Sequence, residues 1–396
     1  MKVQTICVAG KNEIAIDGLK RIIDSCVDFH IVFIPNKNDN GVDGWQPSFK
    51  KYALSQGVRQ VSLEDIYPIE GLIFLSLEFD RIIKPELFKT SSLFNIHFSR
   101  LPKYKGMYTS ALPLLHGESF SGVTLHKIDQ GIDTGDIIGQ SEFFISPEDT
   151  ARDLYFKYLS NSKKLLGNYI DLLLSGEFES FPQSSYGSSY YSKSSIDYSC
   201  LSIDLNKSAF EISNQFRAYT FREYQIPVFE GWQIIGTEIL AEKSPSRPGI
   251  ILSEDDAGYI VSTIDYNIRL KKDYYPALWN ASESGDVAAL KFSLRFIDAV
   301  DIRNSKGWSA LIIAAYHGRV DTAEILLSVG ASLSVCGYNG TTPLMYAFTH
   351  YELHGDDRIF KFLLGNGADV SVRDNWGKTL KDYMIERNCL DLIEYA

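Results

Sequence analysis

In the run 94–98, "FNIHF", an asparagine and a histidine stand two apart among apolar residues. Read as a strand, its alternation puts Asn95, His97 and Ser99 on one face and Ile96 and Phe98 on the other. Further on, "KIDQGIDTGDIIGQ" interleaves Asp129, Asp133 and Asp136 with Gly131 and Gly135. Such a loop can bring a carboxylate and backbone amides against a ligand. A histidine whose second nitrogen faces a carboxylate is fixed in tautomer and becomes a better base, and an adjacent amide can donate to a developing oxyanion. Asn, His and Asp together suit attack of a neutral nucleophile on a carbonyl carbon, with neither a metal nor a Ser or Cys nucleophile. The competing reading is a core histidine satisfied by an asparagine, beside an unrelated acidic turn.

The elements that must position these groups read as strand and helix in alternation. "VQTICVAG" is β-rich, Ile14, Leu19, Ile22 and Ile23 share a helical face, "FHIVFIP" is a second strand, and a polar loop 36–45 leads to a helix near 48–56. "GLIFLSL" reads as a buried strand. The pattern predicts an α/β domain with a Rossmann-like, mostly parallel sheet covered on both faces. Only Gly10 stands in the first turn, so the dinucleotide G-x-G-x-x-G fingerprint is absent. A helix to about Ser175 carries Leu154, Tyr158, Leu165, Tyr169 and Leu172 on or near one stripe, and "SSYGSSYYSKSS" follows as an expected linker. Residues 200–272 mix one helix, 208–219, with short strands, an α+β appendage too small for a large core of its own.

The last third repeats. Gly307 aligns over Gly340 at a period of 33, and Gly330-Ala331 over Gly367-Ala368 after a four-residue insertion. That period, with T-P-L, A-A-x-x-G and L-L-x-x-G-A, resembles the ankyrin repeat, an all-α stack with degenerate copies from about Pro276 and from Asn375 as caps. The expected division is therefore 1–185 catalytic, 186–273 appendage and 274–396 repeats.

A formal net charge of −11 weighs against a nucleic-acid partner. No apolar run approaches 18 residues and the start is too quickly polar for a signal peptide, so a cytoplasmic protein with no membrane partner is expected. Cys7, Cys26, Cys200, Cys336 and Cys389 are odd in number and scattered, and read as reduced packing residues.

"FNIHFSRLPKYKG" followed by "GVTLHKIDQGIDTGDII" resembles the folate-dependent formyltransferases, as does "LIFLSLEFDRIIKPELF" upstream. A weaker similarity, in "SAFEISNQFRAYTFREYQIPVFEGWQI", is to the helix and β-appendage of formyltransferases acting on methionyl-tRNA or on nucleotide-linked amino sugars. The resemblance implies 10-formyltetrahydrofolate as co-substrate and an amine as acceptor. It implies His97 as general base or proton carrier, Asn95 as oxyanion donor and Asp133 as the carboxylate that orients His97. The pterin would lie along the backbone of Leu75, Ser76 and Leu77 and of the loop from Asp129 to Asp133; Arg81 and Lys84 are read as surface cations, the alternative being that they serve the donor or a phosphate. Asp136 is assigned to turn stability.

The acidic charge and the repeats weigh against methionyl-tRNA, and the resemblance to formyltransferases of dTDP-linked amino-deoxy sugars implies such a sugar as acceptor. 3-Amino-3,6-dideoxyglucose is preferred to a 4-amino sugar on the ankyrin tail alone, and surface-glycan or O-antigen synthesis is the implied setting. "RAYTFREYQ" is the candidate nucleotide site, with Phe221 or Tyr224 stacking on a pyrimidine, Gln225 reading its edge and Arg217 or Arg222 near the diphosphate; the alternative is that Phe221 and Tyr224 simply pack between appendage and core. The ankyrin stack is expected to take a protein partner. Trp279, Trp308, Tyr338, Tyr346 and Trp376 mark the alternative, a second nucleotide-sugar. A homodimer is implied by the family alone. His350 and His354 are four apart but read as a solvated repeat insertion rather than a metal pair, His116 and His126 read as structural, and no metal is expected. A non-enzymatic reading, an ankyrin binding module on a degenerate transferase, is opposed by the intact Asn95, His97 and Asp133.

Overall fold

The computed structural model describes residues 4–25, 29–389 and 391–392 of the 396-residue chain; Cys26 lies outside the described residues. The chain forms two compact units, Met1–Val42 with Gln46–Lys271, and Asp43–Trp45 with Lys272–Ala396.

The first unit begins β1 (Thr5–Gly10), α1 (Asn12–Asp24), β2 (His30–Pro35), α2 (Phe49–Ser55), β3 (Arg59–Gln60), α3 (Leu63–Ile66), β4 (Leu72–Leu77) and β5 (Leu93–His97). It continues with β6 (Lys105–Gly106), α4 (Leu112–Leu115), β7 (Phe120–Lys127), β8 (Ile137–Phe144) and α5 (Ala151–Ser175). The main sheet has the order β3-β2-β1-β4-β5-β7-β8. Strands β1 to β5 run parallel, and β7 and β8 extend the sheet antiparallel. β1 and β4 are buried at every position, the mark of strands covered on both faces. The chain leaves β1 for β2 on one side and returns at β4 on the other, so a topological switch point falls between β1 and β4.

Side-chain caps set where the helices start. Ser48 caps α2, and Thr150 and Asp153 form a reciprocal box at α5, which ends on the left-handed Gly176. The buried stripe of α5 includes Leu154, Tyr158, Leu165, Leu173 and Leu174. Leu172, seven residues after Leu165 and on the same face, is nonetheless 37% exposed; it stands in the last turn of α5. The Ser/Tyr-rich stretch expected as a linker holds β9 (Tyr190–Tyr191), which pairs with β6 and so ties that stretch to the loop after β5.

Residues 209–272 supply α6 (Ala209–Tyr219), capped by Ser208, and β10 (Val228–Phe229), β11 (Trp232–Lys243), β12 (Ile251–Glu254), β13 (Gly258–Val261) and β14 (Tyr266–Lys272). These strands form a second sheet, and α6 packs Ile212 and Phe216 against its Ile234, Val261 and Leu270.

The second unit is helical: α7 (Tyr275–Ser284), α8 (Val287–Ser293), α9 (Ala310–Tyr316), α10 (Val320–Ser328), α11 (Pro343–His354), α12 (Arg358–Gly365) and α13 (Leu380–Glu386). The T-P-L signal is a helix start: Thr342 accepts from the Met345 amide and Pro343 fills the first turn, where no amide is needed. His350 and His354, expected in a loop, lie on α11, their rings 4.6 Å apart; the helix runs on through the insertion before stopping at the left-handed Gly355. No group of three or more metal-ligating side chains occurs among the described residues.

Candidate active site

In open α/β sheets the crevice for ligands lies beyond the carboxyl ends of the strands at the switch point. A cavity of about 520 Å³ is found there. Its wall takes Lys11 after β1, Asn36 after β2, Glu78 after β4, and Asn95 and His97 from β5, with Asp129 to Asp133 closing one side. Gly10 lets the chain turn here, because a Cβ would stand 1.9 Å from the Leu77 carbonyl oxygen.

Asn95, His97 and Asp133 come together as their spacing suggested. Asn95 sits opposite His126 in the antiparallel β5–β7 pair. His126 Nδ1 is 2.7 Å from the Lys127 carbonyl, which can only accept, so Nδ1 carries the proton and Nε2 accepts from Asn95 Nδ2 at 3.1 Å. Asn95 Nδ2 also donates to Asp133 Oδ1 at 3.4 Å. Both amide hydrogens are thus engaged, the bond to Asp133 being the longer of the two. His126 was read as structural; it orients Asn95, and its place across the strand pair was the signal.

His97 is 8% exposed. Its Nε2 lies 2.8 Å from the Tyr104 carbonyl and therefore donates, while Nδ1 lies 3.4 Å from Asp133 Oδ2. Burial pulls the ring below the ordinary histidine value, against the opposing pull of Asp133 and the Tyr104 carbonyl. The free protein therefore holds a neutral ring at pH 7 whose open nitrogen, Nδ1, faces a carboxylate. A proton taken there turns the contact into a charge-assisted hydrogen bond. Burial would raise Asp133, but the facing rings of His97 and His126 and the Gly106 amide together hold its carboxyl well below the usual range. Asp133 thus stays ionised to receive that proton's charge.

The Asp133 backbone is left-handed, at φ 54°, and Gln183 Nε2 clamps its carbonyl and that of Gly135, each at 2.8 Å. The Gly106 amide donates to Asp133 Oδ2 at 2.9 Å. Gly106 itself has φ 87°, and a Cβ there would stand 2.2 Å from the Tyr191 carbonyl oxygen. Left-handed Glu78 and Tyr108 also line this cavity, and left-handed Tyr104 bonds through its carbonyl to His97, which does. Strain of this kind persists where the surroundings over-determine it, commonly at functional sites.

The other expected site residues are placed unevenly. Ser76 and Asp129 line the cavity, whereas Leu75 and Leu77 are buried within β4 and do not; the wall on that side is Glu78 to Ile83. Arg81 lines it too, stacked 4.4 Å over Phe79 and donating to the Pro35 carbonyl. Arg217, Phe221, Tyr224 and Gln225 do not line it. The Arg217 guanidinium is taken by the Ser146 and Asp149 carbonyls and by Asn214, so it fastens α6 to the loop before α5 instead of facing a diphosphate. Phe221 is 6% exposed and packs between Tyr155 and Tyr224, Gln225 donates to the Tyr219 carbonyl, and Tyr224 is 62% exposed.

Lys11, Asn36 and above all Glu78, which the sequence reading did not single out, also line the cavity. The available signal was a carboxylate placed directly after the apolar strand "LIFLSL".

In the helical unit, two of the five marked aromatics meet: the Trp308 and Tyr346 rings are 5.0 Å apart, with Tyr316 5.0 Å from Trp308. Trp279 packs on Tyr275 and donates to the Ile302 carbonyl, Tyr338 covers Gly307, and Trp376 is 60% exposed.

Residues 70–170 match the formyl transferase family model, and residues 278–380 match that of the ankyrin repeats in three copies. The sugar 3N-formyl transferase WlaRD, crystallised in the presence of dTDP and 5-N-formyl-THF, is 44% identical; the match covers 69% of this chain and 98% of that one, with a TM-score of 0.64. The chain belongs to the folate-dependent formyltransferase family. An N-formyltransferase of Helicobacter canadensis, in complex with folinic acid and dTDP-3-aminofucose, is 43% identical over 68% of this chain and 100% of its own, also at a TM-score of 0.64. A methionyl-tRNA formyltransferase of Coxiella burnetii is 30% identical over 184 residues, 46% of this chain; the match spans 58% of that relative's length. Within the family frame, Asn95, His97 and Asp133 occupy the matched segment, and the ankyrin repeats follow it.

Proposed function

We propose that the protein transfers the formyl group of 10-formyltetrahydrofolate to the amino group of a dTDP-linked amino-dideoxy sugar, dTDP-3-amino-3,6-dideoxyglucose, in the making of a surface glycan. The observation that carries this reading is the likeness, over nearly their full lengths, to two sugar formyltransferases crystallised with dTDP or a dTDP-amino sugar and a formylated folate.

The cavity suits such a donor. Phe79, Ile82, Ile83, Ile128 and Ile132 offer an apolar wall for a flat heteroaromatic ring, beside the polar cluster at Asn95 and His97. The donor supplies a formyl carbon bearing an oxygen on which negative charge develops when an amine attacks. Asn95 donates to that oxygen. His97 takes the proton shed by the amine nitrogen at Nδ1, where the Asp133 carboxylate stabilises it, and returns a proton to the departing nitrogen.

No helix among the described residues is long and apolar enough to cross a membrane. The ankyrin stack serves a partner protein in this reading, with the cluster of Trp308, Tyr316 and Tyr346 as the place where a nucleotide-sugar would bind instead. The test is turnover with 10-formyltetrahydrofolate against dTDP-linked 3-amino and 4-amino dideoxy sugars, a UDP-linked amino sugar and methionyl-tRNA. Formylation of the dTDP-3-amino sugar in preference to the others supports the reading, and activity on methionyl-tRNA alone overturns it.

A further inference from the structure

An amino sugar reaches an enzyme at neutral pH largely as an ammonium ion, which has no lone pair with which to attack. One proton must leave before the carbon–nitrogen bond forms, and a second as it forms. The ring of His97 has one open nitrogen, already facing Asp133.

We propose that Glu78 binds the acceptor's ammonium group and takes its first proton. This rests on the acceptor class named above and assigns a further catalytic residue to it.

The geometry begins in the sheet. β4 and β5 run parallel with Ser76 beside Asn95 and Leu77 beside Ile96, so Glu78, one residue on, leaves the sheet at the level of His97. Both side chains face the same cavity. The Glu78 backbone is left-handed at φ 56° and is held so by Asn36, whose Nδ2 donates to the Glu78 carbonyl at 2.9 Å while its Oδ1 accepts from the Asp80 amide at 3.2 Å. A glutamate kept in this conformation by a dedicated asparagine is aimed.

Its carboxylate has capacity to spare. A carboxylate accepts about four hydrogen bonds; among the described residues only the Tyr155 hydroxyl bonds to it, at 2.9 and 3.2 Å to its two oxygens, with Lys11 Nζ 3.9 Å away. Lys11, from the β1–α1 turn, and Tyr155, from α5, are the titratable groups that face it. Asp80 and Arg81 follow it in the chain and pair with each other at 3.5 Å. Burial pushes Glu78 up to about 7, against the pull of Lys11 and Tyr155. Near neutral pH it is thus both ionised enough to attract an ammonium ion and basic enough to deprotonate it.

The step balances. The ammonium nitrogen gives a proton to a Glu78 oxygen and keeps the electron pair. That pair forms the bond to the formyl carbon, the second proton goes to His97 Nδ1, and the departing folate nitrogen is reprotonated as its bond to the formyl carbon breaks. Glu78 returns its proton to water after product leaves.

The test compares wild type with Glu78→Gln, using dTDP-3-amino-3,6-dideoxyglucose for turnover and both this sugar and dTDP-glucose, which carries a hydroxyl in place of the amine, for calorimetric binding. The expected result is a kcat/KM lower by on the order of 100-fold or more and loss of the rise in rate through about pH 7. Binding of the amino sugar should weaken about tenfold or more while dTDP-glucose binding is retained. An unchanged rate and pH profile, or equal loss of both nucleotides, overturns the assignment of Glu78 and leaves the acceptor class standing. A wild type that formylates no dTDP-amino sugar overturns the acceptor class itself, and this proposal with it.

Discussion

Asp133 Oδ2 stands 3.4 Å from His97 Nδ1, while the other side of that imidazole is fixed by the Tyr104 carbonyl. The pair therefore has one open protonation step, at a nitrogen that already faces negative charge. In the proposed reaction, proton transfer runs through that contact.

Replacing His97 by Asn removes the nitrogen that gains the proton while filling a similar space. Turnover should fall on the order of 100- to 10,000-fold, with an unchanged circular dichroism spectrum and melting curve. Near-normal turnover would remove His97 from the chemistry.

Asp133→Asn removes a charge that raises the His97 pKa. The His97 value should therefore fall further, and the limb of the rate–pH profile that reports ring deprotonation should move to lower pH as the plateau drops. A limb that stays in place or moves up would contradict the pairing.

Gly106→Ala tests the support beneath Asp133. The added Cβ would meet the Tyr191 carbonyl at 2.2 Å in a left-handed backbone, so β6 and β9 must part and the amide bond to Asp133 must loosen. A stability loss on the order of 1–3 kcal/mol in urea unfolding, together with reduced turnover, is expected. Wild-type stability and rate would show that this loop bears no load.

Glu78 gives a stability signature independent of turnover. Its carboxyl is raised from 4.5 to about 7 in the folded protein, so the folded state binds the proton more tightly than the unfolded one. That contribution is complete below about 4.5 and is lost as pH rises to about 7; at about 1.4 kcal/mol per pH unit it amounts to roughly 3.5 kcal/mol at most. Glu78→Gln should match wild type near pH 4.5 and melt at a higher temperature above pH 7. Parallel melting curves across that range would place the Glu78 carboxyl in water.

What was legible in the sequence was what is local. Asn95 and His97 share a strand face by simple alternation, Asp133 sits in a loop whose glycines announce it, and the T-P-L and Gly-Ala pairs of the repeats are helix starts and stops. What failed depended on distant partners. Arg217 looked like a diphosphate ligand until the Ser146 and Asp149 carbonyls, some seventy residues earlier, claimed it. Tyr190 and Tyr191 looked like linker because their strand partner, Lys105–Gly106, is far away in the chain. Glu78 carries no local sign of burial; its environment is made by Asn36, Tyr155 and Lys11, which meet only when the switch point forms.

The most direct measurement is the initial rate of formamido product from 10-formyltetrahydrofolate and dTDP-3-amino-3,6-dideoxyglucose, with wild type and His97→Asn side by side. The account predicts steady product formation that collapses in the variant. No product from wild type, or equal rates from the two proteins, would contradict it.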